Sequence, residues 1–198
     1  MMNKLHRLIP LLLAMSLAAC VTEPPVDPAA VAARTPSQML AAVQQAAKGS
    51  DERELDVQPL RDTQVEDLRE TAMAALQQGD AKAAANALDK AIELVPEDPA
   101  VLQERAEAAL ALGEFDLAEQ LALRANGLGS EVGPWCRRHW ETARQVRERR
   151  REIAAAPLRR PNEEALAAQA RTLADMDRAI ADAGQKFDAC TVPGINRM

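Results

Sequence analysis

Aromatic side chains are nearly missing from this sequence: its 198 residues include two Trp, two Phe and no Tyr. Runs of β-branched residues are missing too, so the chain lacks the residue types that fill a pleated sheet. Histidine is as scarce, with only His6 and His139, and His6 lies in a segment marked for removal. A lone His139 supplies no zinc ligand set and no paired acid and base. No HExxH, GxSxG, P-loop or glycine-rich dinucleotide motif occurs. The carboxylates are many but scattered along helical stretches, where they solvate a surface. These absences point away from an enzyme, and no cofactor or metal is expected. His139 is expected as a partly buried helix residue.

Long apolar runs are also lacking. The longest, Leu8 to Ala19, is broken by Pro10 and Ser16 and falls short of the roughly 20 apolar residues that cross a bilayer. Lys4 and Arg7 precede it with no acid among them, and small residues follow. A positive start, a short apolar middle and small residues before a cut make a secretory signal peptide over residues 1–19. The run ends in Leu17-Ala18-Ala19-Cys20, which resembles the lipobox of bacterial lipoproteins. That resemblance implies cleavage before Cys20, a diacylglycerol thioether on its sulfur and an acylated new N-terminus. In such lipoproteins Asp after the cysteine favours inner-membrane retention. Val21 stands there, which implies the outer membrane, facing the periplasm. Residues 20–36, with Pro24, Pro25 and Pro28 and few large apolar groups, read as a flexible tether.

The remaining chain is one domain's worth of residues. Alanine and leucine dominate its apolar content, and alanine has the highest helix propensity, so the fold class is all-α. The full chain has 24 Lys+Arg and 30 Asp+Glu, a net charge of −6. Loss of Lys4 and Arg7 leaves 22 against 30, or −8. This balance, and still more the location, excludes nucleic acid as a partner. With Cys20 committed to lipid, Cys136 and Cys190 remain, and an oxidising compartment favours a disulfide between them. It would close a loop of about 54 residues, worth roughly 3–4.5 kcal/mol in the chain-entropy picture.

Residues 65–98 laid on 99–132 match at a period of 34. Leu68 falls on Leu102, Ala72 on Ala106, Ala75 on Ala109, Leu76 on Leu110, Gly79 on Gly113, Ala84 on Ala118, Ala91 on Ala125 and Leu94 on Leu128. A helix–turn–helix unit of this length resembles the tetratricopeptide repeat. The second-helix pattern Ala84…Leu88…Ala91…Leu94-Val95-Pro96 and the turn Gly79-Asp80 fit it. Leu68 and Leu102 stand where that family has an early aromatic, and Ala75 and Ala109 replace a mid-helix tyrosine. The resemblance implies a short α-solenoid and protein–protein interaction as its work.

Breakers and caps place the elements. Thr35 to Gln38 starts a helix at about 37–48 within an N-terminal segment, 37–62, whose end is unassigned. Thr63 with Glu66 reads as a capping box, opening two repeats over 63–132. Asp98 and Pro99 start the third helix of the pair set. Residues 133–198 form a degenerate third unit, a capping helix and a tail. There Arg147 stands where Gly113 stood, so the helix from Pro134 should run on to about Ala155. Asn162 should cap a last helix to about Ala183.

The first helices of such hairpins line the binding face in the tetratricopeptide family. The repeat alignment puts Glu70, Met73, Gln77, Gln103, Glu107, Arg137 and Arg144 near it. Trp135 and Trp140 are either core at the end of the repeat or an aromatic anchor for a partner. Residues 137–160 hold nine arginines against three glutamates, a local +6, and arginine suits bidentate contact with carboxylate or phosphate. Two readings compete. One is a periplasmic adaptor binding an envelope protein; the other is a tether holding peptidoglycan or anionic lipid through the arginine-rich helix.

Overall fold

A computed structural model describes residues 33–48 and 62–191; the signal segment, Cys20, most of the tether, residues 49–61 and the last seven residues lie outside the described residues. Seven helices occur there: α1 (Pro36–Ala47), α2 (Thr63–Gln77), α3 (Ala81–Leu94), α4 (Pro99–Leu112), α5 (Phe115–Leu128), α6 (Pro134–Ala154) and α7 (Glu163–Ala189). The architecture is an all-α solenoid of helix hairpins. Helices α2 and α3, α4 and α5, and α6 and α7 pair as antiparallel neighbours, and α3 packs on α4 and α5 on α6.

The 34-residue period is visible in the element bounds, since α3 and α5 begin and end 34 residues apart. Both glycines of the repeat have positive φ, 80° at Gly79 and 78° at Gly113. L side chains resist that conformation, and glycine adopts it freely. Gly113 ends α4 directly, and its N–H bonds the Ala109 and Leu110 carbonyls. At Arg147 no such exit exists, so α6 continues for two further turns, to Ala154.

Side-chain caps set the helix starts. Thr35 and Gln38 form a reciprocal capping box on α1, Asp98 accepts from Ala100 and Val101 on α4, and Asn162 accepts from Ala165 on α7. The expected Thr63–Glu66 box is not how α2 begins. Asp62 is the N-cap, its carboxylate accepting from Gln64 N–H at 2.8 Å, and Thr63 is already helical. An ionised cap one residue upstream is the stronger acceptor for the orphan N–H groups. Helix α7 also runs past Ala183 to Ala189, because Gly184 sits in open space within the helix and nothing there opposes its continuation.

The core is built from small side chains. Val65, Ala72, Ala84, Ala85, Ala87, Leu88, Ala91, Val101 and Ala108 form a cluster joining α2, α3 and α4. Alanine at these contacts lets helix axes approach closely. Helix α4 is buried all round: every residue from Ala100 to Leu110 is inaccessible or nearly so. Such burial is expected of a helix apolar on every side, yet α4 carries Gln103, Glu104, Arg105 and Glu107. Its neighbours on several sides are the cause: Glu104 meets Arg69 of α2, Arg105 meets Asp89 of α3, and Gln103 and Glu107 meet Thr142, His139 and Arg138 of α6. Helix α1 packs on α6 and α4, the first helices of their hairpins, rather than on α5 or α7, and Met39 and Val43 join Ala109 and Leu110 in one cluster. It therefore lies on the side opposite the second helices and completes the cover of α4.

Candidate groove on the first-helix face

Buried charge on α4 is matched partner by partner. Arg69 of α2 is held in a fork by Glu104, with Nε to Oε2 at 2.8 Å and Nη2 to Oε1 at 2.6 Å, and its Nη1 reaches Glu66 at 2.7 Å. Burial works against the guanidinium charge, but hydrogen bonds and the field of Glu104, then Glu66, outweigh it and raise the Arg69 pKa. Burial likewise pushes the Glu104 carboxyl up, opposed by Arg69. Arg105 pairs with Asp89 at 2.7 Å.

A second polar cluster ties α4 to α6. Gln103 donates from Nε2 to Glu107 Oε1 at 2.9 Å and to Thr142 Oγ1 at 3.0 Å. Since that amide nitrogen is spent, Gln103 Oε1 accepts, and His139 donates to it from Nδ1 at 2.9 Å. The imidazole thus carries a proton on Nδ1. Burial, then the charge of Arg138, lowers its pKa to about 3. Arg138 bonds Glu107 at 2.8 Å through Nε and lies 4.3 Å over the Trp135 ring.

Beside these clusters an open groove of about 910 Å³ is bordered by α2, α4, the start of α6 and the end of α1. Of the charged groups in its wall, Arg69, Glu66, Glu104, Glu107 and Arg138 are paired with one another and Glu70 and Lys48 are exposed, while Leu40, Met73, Leu76 and Trp135 supply apolar surface. Met73 is 48 % exposed, the largest value for an apolar residue on that wall. Glu70 and Gln77 sit beside it and are exposed. Preformed ion pairs around exposed apolar surface suit noncovalent binding of a chain segment.

The seven residues expected on the binding face divide. Glu70, Met73, Gln77 and Glu107 line the groove. Gln103 is fully buried in the α4–α6 cluster. Arg137 is 3 % exposed and donates from Nε to the Ala46 carbonyl at 3.1 Å, capping α1. Arg144 pairs with Glu141 at 2.8 Å and Glu148 at 3.3 Å along its own helix. Trp135, which the sequence offers as core or as an aromatic anchor, lines the groove; Arg69, Glu104, Arg138 and the contributions of α1 are groove members not expected from sequence, and the docking of α1 has no signal in the repeat period.

The arginine-rich helix is engaged internally. Arg147 and Arg150 reach Glu119, with Arg150 also on Asp116 at 2.5 Å and Arg147 on the Ala179 carbonyl at 2.8 Å. Arg151 pairs with Asp177 at 2.8 Å, and Arg149 lies 4.6 Å over Phe115. Arg159 and Arg160 are exposed in the α6–α7 connection. Cys136 and Cys190 are bonded to each other, with Cα atoms 5.6 Å apart, which joins the start of α6 to the end of α7. Trp140 is half-buried beneath Lys186, whose Nζ lies 4.5 Å from the ring. Among the described residues no group of three or more His, Cys, Asp or Glu could hold a metal, and no helix is long and apolar enough to cross a membrane.

Comparison with known proteins agrees with the repeat. The tetratricopeptide repeat family model matches residues 75–127, from the last turn of α2 through α5. It stops before α6, where the turn glycine is replaced by Arg147. A solved structure of the TPR2B domain of yeast Sti1 in complex with pHsp70 shares 17 % identity, covers 63 % of this chain and 99 % of its own, and has a TM-score of 0.39. No curated protein matches the chain.

Proposed function

We propose that this chain is a non-enzymatic, lipid-anchored adaptor of the bacterial cell envelope, facing the periplasm from the outer membrane and binding a protein partner in the groove beside α2. The observation that carries the reading is the groove itself. Arg69, Glu66, Glu104, Glu107 and Arg138 in its wall are paired within the protein, and Met73 and Trp135 offer apolar surface beside them, with Glu70 and Lys48 exposed in the same wall. A partner that buries this surface gains hydrophobic contact without breaking an ion pair. Tetratricopeptide-like repeats over the matched segment support protein binding as the activity. The lipobox-like Leu17-Ala18-Ala19-Cys20 supports the anchor, and Val21 the outer membrane. Anchoring confines the module to a surface and raises its effective concentration toward other envelope components.

The alternative tether, holding peptidoglycan or anionic lipid through the arginine-rich helix, has less to support it, because Arg137, Arg138, Arg144, Arg147, Arg150 and Arg151 are occupied by this chain's own acceptors and the exposed Arg159 and Arg160 lie beyond the helix.

Detergent extraction of the tagged protein from the cells that produce it, followed by affinity purification, tests both halves. The wild type should fractionate with membranes and retain a discrete protein in fixed ratio. Cys20→Ser should move the chain to the soluble fraction. Met73→Asp should lower partner recovery at least tenfold, while Lys82→Glu, on the exposed side of α3, should not. Recovery of cell-wall fragments or lipid alone would overturn the adaptor reading.

A further inference from the structure

Helix α1 is bound the way a ligand helix is bound. Its buried stripe is Met39 and Val43, spaced i,i+4 and fully inaccessible, with half-buried Pro36, Leu40 and Ala47 flanking it. These are the anchor spacings of an amphipathic helix laid in a groove. Met39 and Val43 enter one cluster with Ala109, Leu110, Ala118 and Val146. Both ends of α1 are held by side chains of α6. At its start, the Arg34 guanidinium is gripped by Glu152 from Nε at 2.9 Å and Nη2 at 2.7 Å, by Gln145 at 2.9 Å and by Glu148. At its end, Arg137 takes the Ala46 carbonyl. Polar side chains that receive the two termini of a helix fix its direction as well as its place.

Two further observations separate α1 from the repeat body. A connection of thirteen residues, 49–61, separates it in sequence from α2, and only Met39 and Val43 of its residues are buried. The open groove also continues from the end of α1, since Ala47 and Lys48 form part of its wall. We infer that the face of α4 and α6 is a helix-binding site filled in cis by α1, and that it accepts in its place a partner's amphipathic helix. That helix carries a basic residue five positions before an i,i+4 apolar pair. If longer than α1, it extends past the Arg137 cap into the groove at Met73 and Trp135. The inference rests on the adaptor reading for its partner but not for its test.

The probe is a fluorescently labelled peptide of this chain's residues 33–48, added to the mature protein. In the wild type, α1 competes at the high effective concentration of a tethered ligand, so peptide binding should be weak. Met39→Glu with Val43→Glu undocks α1 and should tighten peptide binding at least tenfold, and Arg34→Ala, which loosens only the clamp, should give an intermediate value. A peptide carrying the same two glutamates should not bind. Hydrogen exchange on the unmodified wild type gives an independent readout: amides of α1 should exchange at least 100-fold faster than those of α4 and α6, reporting local opening. The inference fails if the folded double variant takes up no peptide, or if α1 exchanges only together with α4 and α6. A concentration-dependent dimer of the wild type that exchanges α1 would assign the face to a second copy and overturn the partner-helix assignment. A positive peptide result with no co-purifying protein would sink the adaptor reading alone.

Discussion

His139 is the residue whose chemistry depends most on its surroundings. Fully buried and donating from Nδ1 to Gln103, it stays neutral in the folded protein down to about pH 3. Once unfolded it takes up a proton near the ordinary value of about 6.5. Between these limits the unfolded chain binds the extra proton, so stability from this site is complete above about pH 6.5 and is lost as pH falls toward 3, by at most about 1.4 kcal/mol per pH unit. Urea denaturation at pH 7 and pH 5 should show this decline, and His139→Gln should flatten it. The Arg69–Glu104 pair is the other exposed prediction at this scale. Its side chains are 5 % and 6 % accessible, so Glu104→Ala should cost about 3–5 kcal/mol by leaving a buried guanidinium underpaired, read as a lower urea midpoint. Gln103 and Arg137 show the limit of sequence at this scale. Helical spacing correctly put them on first helices, but spacing within one element does not say what covers its face.

Among elements, the turns were the most legible part of the fold. A left-handed exit needs glycine, and Gly79 and Gly113 stand at both such exits of the two repeats. Gly113→Ala should destabilise by about 1–2 kcal/mol, the penalty of a Cβ in that conformation, measured as a drop in Tm. The same logic read backwards located the long α6, since Arg147 offers no exit. The start of α2 differs by one residue because Thr63 with Glu66 matches the capping-box pattern, while the neighbouring Asp62 is the cap the helix uses. Helix α7 outran its expected end because Gly184 lowers propensity without terminating a helix. The Cys136–Cys190 bond closes the α6–α7 hairpin and its tail. Its replacement by Cys136→Ser with Cys190→Ser should cost about 4 kcal/mol in the loop-entropy picture, measurable as a loss in urea midpoint and as faster hydrogen exchange in α7.

At the scale of the molecule, the 34-residue period conveyed the solenoid and its hairpin order but not the docking of α1, which belongs to no repeat. That docking completes the enclosure of α4 and leaves the open first-helix face at the groove beside α2. Four of the seven residues assigned to the binding face from the repeat alignment line that groove, and Gln103, Arg137 and Arg144 do not. Whether this groove takes a protein partner is read directly by a photo-crosslinking amino acid placed at Met73 and, separately, at Lys82 in the full-length protein in intact cells. One discrete protein adduct is expected from Met73 and none from Lys82. No protein adduct at Met73, or equal adducts from both positions, would contradict partner binding there.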